Sequence, residues 1–592
     1  MTSPRRILIG NGLFAVGVLA AFGLARAQDI GELTAPGSSV TVGVGVASGD
    51  EKDRARFGMF NGLRKHDVNG LFGFSYLDRD SESGRWFSIE GRNLGLDNRE
   101  LGLSYRRLGD MKLWADYSEV VRHDPRTINT GLIGAGTTTP TVVLLPGPGT
   151  GHELNLELKR KSISLNAEKW LMGPFQLEVN FKNEDKDGAR FFGKGFACTS
   201  GAAPGCAGPT ATATGWALLM LPEPVNSTIR QLDAKLNYNG QKLKLSGGYY
   251  GSWYTNANGT LTPSVPGVLA NGLGTPLPLS AGLQGILNLP MALWPDNQAH
   301  QVFLAGNYAI TPTTRVNFKY SYTHATQNED FLSMGLTGAP AGRANLGGEI
   351  NTTRAQVGLS AHPIRNVHVH GDLKYEEKKN NTPIAVYNIE GVNTFTNGNP
   401  SPKKWDGKLE ATYRLPAGYA ATGGVFYESE DFGTFTPTDN VAGISGMRQK
   451  MEELGYRLEL RKSMSETLTG WLSYTSSKRD GNSSWLKPRS LPGTGLFEAS
   501  DTCPSVGANA CIFNRTAIFP FMFMDRERDK WKAMANWEPI DRLSLTFFVE
   551  DGRDRFSGPT EHGLRDTGMR MYSADAGYAL SKEWRMSAYW SY

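Results

Sequence analysis

The feature that most constrains this chain is a two-residue alternation of apolar and polar side chains, repeated along most of its length. In 315–324, Val316, Phe318, Tyr320 and Tyr322 share one face of an extended strand, and Arg315, Asn317, Lys319, Ser321 and Thr323 share the other. The same split sets Leu243, Leu245, Tyr249 and Trp253 against Lys242, Lys244, Ser246 and Ser252. It sets Leu409, Ala411, Tyr413 and Leu415 against Lys408, Glu410, Thr412 and Arg414. It recurs with Leu454, Tyr456, Leu458 and Leu460 against Arg457, Glu459 and Arg461, and with Leu543, Leu545, Phe547 and Val549 against Arg542, Ser544, Thr546 and Glu550. Such a period builds sheets, so the chain is all-β. A secreted β-sandwich carries the same dyad, and alternation alone leaves open what the apolar face meets.

Beyond the N-terminus, no stretch approaches the ~20 apolar residues of a membrane-spanning helix. The 13 Trp, 21 Tyr and 27 Phe are too many for intrinsic disorder. Arg5 and Arg6, the apolar run Ile7 to Leu24 and the small-x-small site Ala25-Arg26-Ala27 read as a secretory signal peptide over 1–27, with a short periplasmic segment at 28–39. Its removal takes three arginines and no acid from 62 basic and 58 acidic residues, leaving a charge of about +1. That balance gives no case for nucleic acid.

The connections decide between sandwich and barrel. Short turns such as Gly109-Asp110, Asn239-Gly240, Pro416-Ala417-Gly418 and Ile540-Asp541 alternate with long Gly/Pro/Thr/Asn-rich loops near 124–152, 193–226, 257–298, 381–403 and 481–527. Short periplasmic turns opposite long extracellular loops are the layout of an outer-membrane barrel, and residues 40–592 are read as one large transmembrane antiparallel β-barrel. Aromatics near strand ends, as in Trp253-Tyr254 and Trp584 to Tyr592, suit interfacial girdles. Every backbone group in hydrocarbon must be paired, so the sheet has to close, with its apolar side facing lipid and its polar side the lumen. The reading gives roughly 20 to 22 strands, many longer than the ~9–11 residues a bilayer needs. Trp584 to Tyr592 runs outward on this count, so further closing strands are expected beyond Tyr592.

Several blocks then resemble one family. Phe57-Gly58-Met59-Phe60-Asn61-Gly62-Leu63 and Asn93-Leu94-Gly95-Leu96-Asp97-Asn98-Arg99-Glu100-Leu101, followed by the strand Lys112 to Val120, resemble the N-terminal hairpins of the MtrB/PioB family of decahaem-cytochrome-associated outer-membrane proteins. Leu221-Pro222-Glu223-Pro224-Val225-Asn226, Gly248 to Ser252 and Pro295-Asp296-Asn297 to Gln301 resemble its mid-chain pattern in the same order. The resemblance implies a barrel of about 26 strands. It also implies a function in Gram-negative outer membranes: a sheath whose lumen holds a periplasmic multihaem c-type cytochrome, docked outside to a second, cell-surface cytochrome. Such a porin-cytochrome complex performs extracellular electron transfer. The family's Cys-x-x-Cys after the signal peptide is missing here, so no role of that pair carries over. An outer-membrane diffusion porin or transporter is the alternative the architecture supports equally.

The chain has no Cys-x-x-Cys-His, so haem c is expected on the partner and no cofactor on this polypeptide. No Gly-x-Ser-x-Gly or His-Glu-x-x-His is present, and no enzymatic activity is expected. Cys198/Cys206 and Cys503/Cys511 are each Cys-x7-Cys within a long loop, read as two local disulfides rather than a metal pair. His368 and His370 share a strand face, where a metal or haem contact is weighed against two polar wall residues. Gly188-x4-Gly193-Lys194 lacks the Ser/Thr and helix of a phosphate loop. Asp78, Asp80 and Glu82 lack the twelfth-position acid of a calcium loop and read as a hairpin tip. The expected lumen wall comprises Lys242, Lys244, Arg315, Asn317, Lys319, Lys408, Glu410, Arg414, Arg457, Glu459, Arg461, Arg542 and Glu550.

Overall fold

The computed structural model describes residues 37–64, 68–147, 149–197, 216–270, 276–279, 284–285, 287–337, 339–340, 342–389, 393–397, 399–433, 447–481, 485–486, 523–557, 564–581 and 584–592. Twenty-one sheet strands dominate these. In chain order they are β1 Ser39–Val46, β2 Val68–Asp80, β3 Arg85–Arg92, β4 Glu100–Arg107, β5 Met111–Thr130, β6 His152–Trp170, β7 Phe175–Ala197, β8 Trp216–Asn239 and β9 Leu243–Asn256. There follow β10 Asn297–Thr311, β11 Thr314–Gln327, β12 Gly348–Ile364, β13 Val367–Asn380, β14 Lys403–Arg414, β15 Tyr419–Asp431 and β16 Lys450–Ser463. The last are β17 Leu468–Gly481, β18 Asp525–Ile540, β19 Leu543–Ser557, β20 Asp566–Ala579 and β21 Arg585–Ser591. A short helix, α1 Glu51–Phe57, is capped by Asp50, whose side chain accepts from the Asp53 amide. No described helix is long and apolar enough to cross a membrane.

Two compact units divide the chain: Met1–Lys235, Tyr250–Gln298 and Glu329–Thr337 form the first, and Leu236–Tyr249, Ala299–Asn328 and Gly338–Tyr592 the second. In the first, β1 to β7 pair in sequence order, every ladder antiparallel. In the second, β11 to β21 do the same. Nearest-neighbour antiparallel pairing follows from the short turns, which hold successive strands close enough for no other arrangement. At 415–418 the turn is built by Ala417 and Gly418, both at positive φ (59° and 76°).

The strands run further into the long connections than the sequence suggests. β5 continues to Thr130 and β6 starts at His152, so Asp124–Thr130 is strand, with a bulge between His123 and Thr127. Leu221–Asn226, placed in a loop by composition, lies inside β8. Pro125, Pro222 and Pro224 obscured these extensions, because proline reads as a breaker.

Apolar side chains are exposed on one face over only part of each strand. In β19 that face runs Leu545, Phe547, Val549 and then Asp551, Arg553, Arg555. In β20 it runs Tyr578, Ala576, Ala574, Tyr572 and then Arg570. The switch is marked by aromatics that reach charged or amide groups just beyond them: Tyr375 Oη donates to Glu377 (3.1 Å), Tyr427 to Glu452 (2.6 Å), Tyr474 to Asp529 (2.7 Å) and Tyr322 to Asn351 (2.9 Å). In the first unit Tyr117 donates to Glu119 (2.7 Å). Tyr375 and Tyr474 also pack against Trp405 and Trp531, with ring centroids 4.6 and 4.5 Å apart. A ring in apolar surroundings with its hydroxyl in a polar layer is how tyrosine sits at a hydrocarbon boundary.

A small apolar core lies at the loop end of the first unit. Leu132, Leu221, Leu261, Met291 and Leu293 are buried together, with Ala135, Val142 and Phe192 against them. Thr260–Leu261 pairs with Met291–Ala292, and Thr141 bridges to Ser264, so backbone pairing ties these described stretches of the connections together.

Candidate functional site

The face opposite the exposed apolar band is where this architecture can hold something. Following the ladders of the second unit, one face carries Arg315 and Lys319 on β11, Arg354 on β12, and Asp372, Lys374, Glu376 and Lys378 on β13. It continues with Lys404, Asp406, Lys408, Glu410 and Arg414 on β14, Glu428 and Glu430 on β15, and Glu453, Arg457, Glu459 and Arg461 on β16. Arg479 on β17, Arg526, Arg528, Lys530 and Lys532 on β18, Glu550 and Asp554 on β19, Asp575 on β20 and Arg585 on β21 complete it. This face therefore bears sixteen basic and eleven acidic groups. The reverse face of the same strands carries Lys379, Lys403, Lys450, Lys462, Lys478, Arg553, Arg555 and Arg570. Against them stand Glu349, Glu377, Asp431, Glu452, Asp480, Asp525, Glu527, Asp529, Asp551 and Asp566, which makes eight basic and ten acidic.

Ion pairs knit the polar face across strands. Glu410 binds Lys408 (2.7 Å) and Arg457 (3.2 Å), and Glu459 binds Arg457 and, at 3.6 Å, Arg461. Glu550 sits between Lys530 (3.0 Å) and Lys532 (3.1 Å), and Arg526 reaches Glu453 (2.6 Å) and Arg528 reaches Asp554 (2.7 Å). Arg315, Lys319 and Arg414 are exposed and have no carboxylate within ion-pair distance among the described residues. Lys319 borders an open depression of about 350 Å³ with Gln301, Arg354, Gln356, Lys374 and Asp406. Of the residues singled out from the sequence, Asn317 is on this face, and Lys244 lies beside Ser246, whose hydroxyl donates to Asn237. Lys242 and Arg542 sit in turns at strand ends, where their carbonyls accept from Ala309 and Ala579.

His368 and His370 do share this face, and a third histidine joins them. The His362 and His368 rings lie 4.5 Å apart, and His368 Nε2 meets Ser360 Oγ at 3.1 Å. His362 escaped sequence reasoning because a turn and a strand change separate it from His368. No group of three or more His, Cys, Asp or Glu among the described residues is arranged to hold a metal ion. Cys198, Cys206, Cys503 and Cys511 lie outside the described residues.

In the first unit the family-like blocks converge in two places. Gly62, at φ +80°, lies over the Asp97 carboxylate where a Cβ would collide. The Asp97 amide donates to Asn61 O, and His123 N donates to Met59 O (2.9 Å). The His123 ring lies between Asp97 (2.7 Å) and Glu157 (3.2 Å). Asn93 adopts φ 53°, Leu94 N donates to Phe72 O, and Gly95 presses on the Gly70 carbonyl. Leu96 N turns back to Asn93 O, Arg99 pairs with buried Glu119 (3.4 Å), and Glu100 and Leu101 open β4 against Ser118 and Tyr117. Leu63 is buried, Gly58 caps α1 and Phe57 stays exposed. These blocks are thus a packed joint between α1, the 93–99 link and β5.

The second convergence surrounds Glu223. Pro222, Glu223 and Pro224 are buried, and Arg190 grips the Glu223 carboxylate with two bonds of 2.7 and 3.0 Å. Asp296 accepts from the Asn256 amide (2.7 Å), Asn256 donates to Trp294 O, and Asn297 donates to Pro295 O. An open depression of about 450 Å³ lies here, bordered by Arg160, Lys186, Arg190, Glu223, Tyr254 and Asn297.

The family comparison agrees with this architecture. The family model for the outer membrane beta-barrel porin MtrB/PioB matches residues 50–592. The outer membrane protein MtrB of Shewanella baltica (strain OS185) is 21% identical over 574 residues, covering 94% of this chain and 73% of that protein. Among solved structures, the copper transporter OprC aligns with a TM-score of 0.48 at 9% identity, covering 93% of this chain and 73% of that one. The ferric-catecholate import receptor Fiu from K12 E. coli aligns at 0.43 and 12%, covering 87% and 74%.

Proposed function

The chain belongs to the MtrB/PioB family of outer-membrane β-barrel porins, and from that premise we propose that it is the sheath of a porin-cytochrome conduit. As a member it is an all-β, antiparallel barrel of the Gram-negative outer membrane, with its apolar band against lipid. In the proposal its lumen receives a periplasmic multihaem c-type cytochrome, which carries the haem while this chain carries none. The wall keeps the haem chain from lipid, and the loop end offers a surface to a second, extracellular cytochrome. The direction of electron flow then belongs to the potentials of the partners and not to the wall.

The observation that carries this reading is the polar face itself, charged along eleven successive strands of the second unit. Barrel diameter grows with strand number, and about 22 strands already enclose a lumen that natural barrels fill with a plug. A wall rich in paired charges suits a polar protein guest, which needs many hydrogen-bonding partners and little apolar surface.

The test is purification from outer membranes in mild detergent, followed by a haem-stained gel and an optical spectrum. Stoichiometric c-type haem on a companion polypeptide, with none on this chain, is the expected result. A haem-free barrel that conducts ions in planar bilayers would overturn the proposal in favour of a diffusion porin.

A further inference from the structure

The charge on the second unit is sorted between its faces. Sixteen basic and eleven acidic groups leave the polar face at +5, whereas eight and ten leave the reverse face at −2. The whole chain is only +4 at pH 7, so overall composition hides this separation. Pairing does not absorb it either. Most acids of the face are consumed within its own networks, as Glu410, Glu459 and Glu550 each take two cations, and among the described residues Glu430 and Asp575 are the two with no cation at ion-pair distance. Arg315, Lys319 and Arg414 are left over, exposed and with no carboxylate at ion-pair distance among the described residues.

A wall with a net positive excess biases the field in the space it borders, where low-dielectric surroundings limit screening. Exposed cations without partners are the cheapest to pair with an incoming anion, since no existing bond must break. We infer that the surface of the guest that meets this wall is acidic and carboxylate-rich. Haem propionates and aspartate or glutamate side chains supply that chemistry alike. The inference rests on the sheath reading for the identity of the guest, but the sign of the wall does not depend on it.

The experiment combines two readouts on the full-length protein. In the first, the complex of an Arg315→Glu, Lys319→Glu, Arg414→Glu variant is purified beside wild type, and haem absorbance per barrel is measured across a NaCl series. The variant is expected to retain about tenfold less haem, and wild-type haem to fall as salt screens the contact over its ~10 Å range at 0.1 M. Arg315→Lys, Lys319→Arg, Arg414→Lys should retain haem, which separates charge from folding. Haem retained in full by the charge-reversed variant would overturn the inference while leaving the sheath reading intact. In the second readout, guest-free barrel in planar bilayers under a KCl gradient should pass anions preferentially, and the reversed variant should lose that preference. A cation-selective wild-type barrel would overturn the inference whether or not haem co-purifies, and haem absent from wild type altogether would overturn both readings.

Discussion

At the scale of single residues, the family-like motifs act through backbone space and buried charge. Gly62 is required because its φ of +80° disfavours any side chain and because a Cβ would fall on the Asp97 carboxylate. Gly62→Ala is expected to cost about 1–3 kcal/mol and to loosen α1 from β5, read as a lower midpoint for loss of the heat-resistant folded band on gels. Glu223 is buried and neutralised by Arg190, whose own side chain is 38% exposed. Arg190→Ala should cost about 1–3 kcal/mol, discounted for that exposure, and Glu223→Gln less, since an amide needs no counter-charge. Urea midpoints in detergent would rank the two, and an Arg190→Ala midpoint equal to wild type would refute the role. The glycines and acids were legible in the sequence as a motif, but their partners were not. His123 is over twenty residues from Asp97, and Arg190 over thirty from Glu223, so only the strand register brings them together.

At the scale of elements, faces were legible and ends were not. Inside β11, β14, β16 and β19 the alternation sorts side chains between the two faces as the ladders do, because a pleated strand leaves no other arrangement, while Leu415 and Arg542 fall in turns just outside their strands. The loop-side ends were misplaced because pairing continues after the apolar alternation stops. Tyr117 with Glu119 and Tyr375 with Glu377 could have been found as Tyr-x-Glu. Tyr427 with Glu452 and Tyr474 with Asp529 span strands and could not. Leu458, on the apolar face of β16 and 56% exposed, is in the middle of that band. Leu458→Arg should therefore destabilise the inserted barrel by about 2–4 kcal/mol, whereas Leu454→Arg, beside the tyrosine boundary, should cost about 0–1. Equal losses from the two variants, measured as folded fraction in lipid vesicles, would place the boundary elsewhere. In the turn between β4 and β5, the Lys169 ammonium holds the Asp110 carboxyl below its ordinary value. A lowered folded pKa contributes stability above the unfolded value and loses it as pH falls through the lowered one. The stability difference between wild type and Asp110→Asn should thus be present at pH 7 and vanish in acid. A difference that persists there would refute the pairing.

At the scale of the whole molecule, charge is where composition misleads. A chain of net +4 gives no hint of an electrostatic task until its register separates the two faces of the second unit. Fold class and family were both readable from periodicity, connection lengths and ordered motif blocks. The sorting of charge required the ladders, since a one-residue slip in any strand would exchange its faces.

The length of β5 bears on how anything large could approach from outside. Its apolar stretch ends near Tyr117, yet its pairing with β6 continues to Thr130, thirteen more residues or roughly 40 Å along the strand at ~3.3 Å each. That continuation is a paired stalk, broken by the bulge between His123 and Thr127, that carries its loops away from the apolar band. A macromolecule arriving at the cell surface would meet those loops on a pedestal with headroom beneath it. Contact could then be made without either partner brushing the bilayer.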